Sequence, residues 1–165
     1  SSPEAVGIEG YLEWIYAWAP GRNLTFSCDV SCMMGPEMFN KLFLPPMIEQ
    51  MQSVDYRTYH LDGPDALVHL DRLLDIPELH AIQWVAGSGQ WELKQWIPVI
   101  QRIQKKGKAV QVFCAPEEID FLIQQVRQGE VKREGLWIFV HRENLRDPCK
   151  TEGEARELVE RVANL

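Results

Sequence analysis

Short runs of apolar, β-branched and aromatic residues alternate along the chain with longer amphipathic stretches. Runs of this kind are typical of strands, whereas apolar residues three or four positions apart are typical of helices. The pattern predicts five strands, at residues 24–29, 56–61, 80–85, 109–114 and 136–140. Helices are predicted between them and after the last, at 36–51, 65–74 and 91–106, from Pro116, and from Thr151.

Local signals mark the ends of several helices. Pro45 and Pro46 are expected to kink or divide the helix at 36–51, because neither residue donates a backbone hydrogen bond. Gly107 is expected to end the helix at 91–106 in the left-handed conformation. Thr151 with Glu154 three residues later has the pattern of a capping box.

Strands that follow one another every 25 to 30 residues, with a helix between them, are typical of βαβ units. Such apolar strands predict an α/β fold with a parallel sheet covered on both faces. A doubly wound sheet and part of a (β/α)₈ barrel both fit this spacing. We expect a single domain over residues 1–165, with residues 1–22 as a helical lead-in.

Composition narrows the class of protein. The 165 residues are 45% hydrophobic and 25% charged, as in globular proteins, with a net charge of −7. No run of lysine and arginine of the kind that binds nucleic acid occurs in the sequence, and no apolar run is long enough for a membrane span. The four cysteines form no disulfide pattern, so we expect a reduced, cytoplasmic protein.

Polar side chains gather where the predicted strands end, and the carboxyl ends of parallel strands are where α/β proteins place their sites. The sequence therefore predicts a site for a small-molecule substrate at this edge of the sheet. The candidates are Ser27, Asp29, Ser31, His60, Asp62, Gln83, Cys114 and His141.

His60 and Asp62 are the sharpest local signal. Residues two apart on a strand point to the same face, so the imidazole and the carboxylate converge. With His141 they would make a three-ligand metal site with an open position, of the kind that holds zinc. Alternatively, a carboxylate such as Asp29 or Asp62 would hold a histidine in one tautomer for acid–base chemistry. His69 and His80 are expected at the surface or at its boundary.

Several motifs resemble a known family in the same order along the chain. Residues 24–46 read LTFSCDVSCMMGPEMFNKLFLPP, then come YHLDG at 59–63, FCAP at 113–116 and WIFVH at 137–141, and Thr151 with Glu154. This series resembles the uroporphyrinogen decarboxylase superfamily, where a strand bearing an aspartate leads into a similar proline-flanked helix. Gly35 stands where that family usually has serine, and Cys114 lies in a segment where it tends to have N-x-D-P.

The resemblance implies a (β/α)₈ barrel of which this chain holds about the last five strands. A cut barrel leaves two edge strands with unpaired backbone groups. The resemblance therefore implies completion by a missing N-terminal part of the barrel or by self-association.

Two branches of the superfamily suggest different functions. The cobamide-dependent methyltransferases hold zinc through H-x-C and a last-strand cysteine, where this chain has His60-x-Asp62 and a position near His141. The resemblance implies one-carbon transfer with zinc, a corrinoid methyl donor and contact with a corrinoid protein. The alternative is a decarboxylase acting on a porphyrinogen, in which Asp29 handles protons and His141 contacts the substrate. A third hypothesis is a non-catalytic fragment that oligomerises.

Overall fold

The structure is a computed structural model that describes residues 10–90, 92–140, 149 and 151–163. It is an α/β fold with a five-stranded parallel sheet flanked by helices, in which the strands follow one another in chain order. A separate two-stranded antiparallel sheet precedes it. The strands are β1 (Tyr11–Leu12), β2 (Trp18–Ala19), β3 (Asn23–Ser27), β4 (Tyr56–Asp62), β5 (Ala81–Val85), β6 (Ala109–Cys114) and β7 (Leu136–Val140).

The helices lie between successive strands of the parallel sheet and after the last one. The α-helices are α1 (Pro36–Met38), α2 (Leu44–Met51), α3 (Leu70–Leu74), α4 (Ile97–Lys105), α5 (Ile119–Arg127) and α6 (Glu152–Ala163). Shorter 3₁₀ segments lead into several of them, at Asp29–Met33, Pro64–His69, Leu93–Trp96 and Pro116–Glu118, and a π-helical segment covers Phe39–Phe43.

The five predicted strands are all present, and the last two have the predicted bounds. Parallel pairing is confirmed for β3 with β4 and for β6 with β7. The predicted 24–29 strand ends earlier, at Ser27, because Asp29 already begins a 3₁₀ turn. The register places Ser27 beside His60, and side chains of paired residues lie on the same face of a sheet.

The expected helical lead-in is wrong over its described part. Residues 11–19 form a hairpin instead, in which the Glu13 N–H donates to the Ala17 carbonyl and the Tyr16 N–H donates to the Glu13 carbonyl. Tyr16 has a φ of 63°, a left-handed conformation that cannot continue a right-handed helix. The aromatic residues of this segment also favour extended structure.

Pro45 and Pro46 disturb the regular helix predicted at 36–51, which stays helical throughout but includes a π-helical segment. Pro45 and Pro46 cannot donate to the carbonyls of Lys41 and Leu42, which a regular helix would require. The chain widens into a π-helical segment immediately before them, and the Leu44 N–H donates to the Phe39 carbonyl five residues back. Pro45 and Pro46 then occupy the first turn of α2, where missing N–H groups cost nothing.

The predicted helix ends also agree with the structure. Gly107 follows α4 with a φ of +73°. The hydroxyl of Thr151 accepts a hydrogen bond from the Glu154 N–H, at 3.2 Å, so Thr151 caps α6. The predicted helices at 65–74, 91–106 and 116 onward each begin as 3₁₀ turns, and Trp91 lies outside the described residues.

The chain divides into two compact units, residues 1–83 and 84–165, with the boundary inside β5. In the first unit, Phe26, Tyr59 and Leu61 are buried, together with residues of α2 and α3. In the second unit, buried positions alternate with helical spacing along α4 and α5. None of the helices in the described part of the chain is long and apolar enough to cross a membrane.

Candidate functional site

Three polar side chains form a row near the carboxyl ends of three neighbouring strands in the first unit, one from each strand. These residues, which we call the polar row, are Ser27 on β3, His60 on β4 and Gln83 on β5. Ser27 and His60 are register partners. His60 Nδ1 hydrogen-bonds Oε1 of Gln83. The structure thus places these three strand-end residues side by side.

The pattern of β4 explains why His60 lies on this face. Tyr59 and Leu61 are fully buried on one face, while His60 and Asp62 alternate with them and point to the other. His60 is half-buried and Asp62 is exposed. Gly63 then turns the chain with a φ of +81°, which ends the strand just beyond Asp62.

The contact between His60 and Gln83 fixes the state of the imidazole. A carboxamide oxygen only accepts hydrogen bonds, so the proton of the neutral ring lies on Nδ1. Nε2 therefore keeps its lone pair, and none of the described residues donates to it. A histidine oriented through one ring nitrogen is arranged to bind a metal or take a proton through the other.

An aromatic side chain from the hairpin stands beside this imidazole. The ring centroids of Trp14 and His60 are 5.1 Å apart, with the planes at 66°. Trp14 lies in the turn that the left-handed Tyr16 completes, and its side chain remains more than half exposed. The hairpin thus supplies an apolar wall to the polar row that the sequence prediction did not include.

Ser31 does not belong to the polar row but to a buried cluster. It is 4% exposed, and its carbonyl accepts a hydrogen bond from Nε2 of His69 at 2.9 Å. The His69 ring stacks on Phe39 with centroids 4.2 Å apart. The expectation that His69 lies at the surface is wrong, because it is only 1% exposed and closes a buried cluster against Ser31 and Phe39. His80, in contrast, is exposed as expected.

Burial changes the chemistry of the groups around this cluster. It raises the pKa of Tyr59 well above its usual range, and it raises the pKa of the Cys28 thiol. Both groups are therefore neutral near pH 7. Asp29, in contrast, begins the 3₁₀ turn that follows β3 and is exposed. Its carboxyl group is therefore accessible to solvent.

Cys114 ends β6 in the second unit and is 1% exposed. Its Sγ lies 3.4 Å from the Ala115 carbonyl, and burial with the nearby Glu118 and Glu117 raises its pKa to about 12. Glu118 itself accepts hydrogen bonds from the N–H groups of Leu93, at 2.7 Å, and Ala115, at 3.3 Å. The carboxylate thus ties two loops of this unit together.

The predicted third metal ligand, His141, lies outside the described residues. Within the described ranges, no three histidine, cysteine, aspartate or glutamate side chains are grouped so as to hold a metal ion. His60 and Asp62 are the predicted ligands that the structure describes, and both belong to the accessible end of β4.

Comparison of the chain with protein-family models, curated proteins and solved structures gave no match. The resemblance to the uroporphyrinogen decarboxylase superfamily therefore rests on the sequence motifs.

Proposed function

We propose that this chain is an enzyme segment that binds a small molecule at the polar row and transfers a one-carbon group, in the manner of the methyltransferase branch of the uroporphyrinogen decarboxylase superfamily. The observation that supports the proposal is that Gln83 orients the imidazole of His60. The lone pair of Nε2 is then available to bind a metal, and the exposed Asp62 lies two residues further along β4. Metal-binding histidines usually donate their other ring N–H to an oxygen acceptor, as His60 does to Gln83.

The side chains of His60 and Asp62 at the end of β4 are suitable ligands for zinc. An imidazole nitrogen and a carboxylate are both common zinc ligands, and His141 is the proposed third. Bound zinc would supply Lewis acidity toward the substrate. The hydrogen bond that His60 Nδ1 donates to Gln83 Oε1 would hold the imidazole in its coordinating orientation. A corrinoid methyl donor is proposed from the sequence resemblance alone.

A porphyrinogen decarboxylase is the less favoured candidate. Its substrate carries many carboxylates and needs cationic side chains to bind them. The chain segments at the ends of β3, β4 and β5, residues 27–35, 60–66 and 83–90, contain Asp29, Asp62 and Asp65 but no lysine or arginine. Electrostatic repulsion would weaken the binding of such an anion at the polar row.

Metal content is the decisive measurement. The purified protein is exposed to zinc, dialysed and analysed for elements, beside His60→Ala and the matched control His80→Ala. His80 is exposed at the opposite end of β5, where its Nδ1 accepts from the Arg57 N–H. We expect about one zinc per chain in the wild type and in His80→Ala, and none in His60→Ala.

Equal zinc in all three proteins, or none in any, would contradict the metal proposal. Titration with uroporphyrin then separates the remaining alternatives. Tight binding that His60→Ala weakens indicates the decarboxylase, and no binding leaves the non-catalytic fragment.

A further inference from the structure

The turn between β1 and β2 holds an aromatic ring against the imidazole of the polar row. The ring centroids of Trp14 and His60 are 5.1 Å apart, and the 66° between their planes is the edge-to-face geometry that aromatic pairs favour. More than half of the Trp14 side chain is nevertheless exposed. Burial of this indole therefore contributes little to the stability of the fold, and its contact with His60 can be removed without opening the core.

Other residues of the turn anchor its backbone to the first unit. Ile15 and Ala17, on the far side of Trp14 along the chain, are buried. The Glu13 N–H donates to the Ala17 carbonyl and closes the turn. The same carbonyl accepts a hydrogen bond from Nδ2 of Asn23, at 3.1 Å, which ties the turn to the start of β3. The position of the indole is thus set by a backbone that the sheet itself holds.

The turn also contains a strained residue. Among the residues that the structure describes, Tyr16 alone combines a positive φ, 63°, with a side chain larger than that of glycine. Its N–H donates to the Glu13 carbonyl at 2.8 Å, so this conformation is part of the closed turn. Strain of this kind is unfavourable, persists only where the surrounding structure enforces it, and is concentrated at functional sites. It is a second indication, independent of the ring contact, that the turn serves the polar row.

The contact with Trp14 supplies a restraint that Gln83 cannot give. The hydrogen bond from His60 Nδ1 to Gln83 fixes one point of the imidazole, but the ring can still tilt about that bond. A second ring packed against the imidazole opposes the tilt. Side chains that act on a ligand or a proton need both kinds of support, packing and hydrogen bonding, to keep one orientation.

We propose that Trp14 is a positioning residue of the polar row, which acts with Gln83 to hold the His60 imidazole in the orientation that zinc binding or proton transfer requires. Trp14 is not itself a ligand or a base, because its indole N–H only donates hydrogen bonds. The role rests on the proposed function of His60. The orientation of the ring, however, can be measured without any metal.

Nitrogen-15 NMR of the histidine rings in the metal-free full chain tests the proposal. His60 of the wild type should show one predominant tautomer, with the proton on Nδ1. Trp14→Leu should give a mixture of tautomers, and Trp14→Phe should restore the single one. Zinc affinity, measured separately, should fall by about three- to tenfold in Trp14→Leu, the factor that an aromatic pair contributes. Trp18→Leu, at another exposed tryptophan of the hairpin, is the matched control.

Two substitutions of Tyr16 test the turn without changing Trp14. Glycine adopts a positive φ freely, whereas a β-branched residue strongly disfavours it. Tyr16→Gly should therefore keep the wild-type tautomer of His60, and Tyr16→Val should give the mixture, although both remove the phenol ring.

An unchanged His60 tautomer in folded Trp14→Leu overturns the proposal, and so does a mixture that Trp18→Leu produces equally. If Trp14→Leu does not fold, equal tautomer populations in Tyr16→Gly and Tyr16→Val overturn it. A wild type that binds no zinc, but whose single tautomer is lost in Trp14→Leu and regained in Trp14→Phe, supports the positioning role and contradicts only the metal proposal.

Discussion

His60 on β4 and Gln83 on β5 are joined by a hydrogen bond from the imidazole Nδ1 to the side-chain amide oxygen. Gln83 is 3% exposed, so contacts within the protein, and not solvent, fix the position of its side-chain amide. A buried acceptor on a neighbouring strand gives the half-exposed imidazole one tautomer and one orientation. The arrangement resembles the support that proteins give to a metal-binding or proton-transferring histidine.

Gln83→Leu tests this support. The substitution keeps the size of the side chain and removes the acceptor, so His60 should lose its preference for the Nδ1–H tautomer. Nitrogen-15 NMR of the histidine rings measures this directly. Zinc affinity, where zinc binds, should fall by about tenfold or more. Gln90→Leu, at an exposed glutamine, is the control, and an unchanged tautomer in Gln83→Leu would contradict the assignment.

His69→Ala should destabilise the first unit. The substitution leaves a cavity against Phe39 and removes the donor to the Ser31 carbonyl. We expect the free energy of unfolding to fall by about 2–4 kcal/mol, measured by urea denaturation. His80→Ala, at an exposed histidine, should change it by less than about 1 kcal/mol. Equal effects of the two substitutions would show that His69 is not part of the core.

The thiols should differ in reactivity toward iodoacetamide at pH 8. Cys32 is exposed and should be modified first. Cys28 and Cys114 are buried, so the reagent reaches them poorly. Burial also raises the pKa of both, so little of either thiol is in the reactive thiolate form. Peptide mass spectrometry should show a rate at least about tenfold lower for them. Labelling in urea, where all react, is the control.

The protein should lose stability in alkali. The pKa of Cys114 rises from 9.0 to about 12 on folding, so its contribution is complete below pH 9 and is lost as the pH rises toward 12. The loss has a slope of up to about 1.4 kcal/mol per pH unit for this group. Burial raises the pKa of Tyr59 as well, which acts in the same direction above pH 10.

Urea denaturation between pH 7 and pH 11 measures this dependence. Cys114→Ala is less stable at pH 7, but its free energy of unfolding should fall less steeply between pH 9 and pH 11. A slope that the substitution leaves unchanged would assign the alkaline loss to other groups.

The sequence by itself determined the five strands of the parallel sheet and the helices that follow them. Period-two and helical patterns are local, and so are the proline pair before α2, Gly107 after α4 and Thr151 before α6. Each acts through the backbone of its own few residues, which explains why these predictions agree with the structure. The left-handed Tyr16 had no such signal, because glycine or asparagine normally marks that conformation.

Only the tertiary structure decided which side chains meet. His60 and Gln83 are 23 residues apart, and their hydrogen bond depends on the order and register of the strands. The burial of His69 likewise depends on Ser31 and Phe39, which a helical position cannot reveal. Trp14 reaches His60 because its segment forms a hairpin and not a helix. Local propensity fixes the elements, whereas packing between distant segments fixes the site.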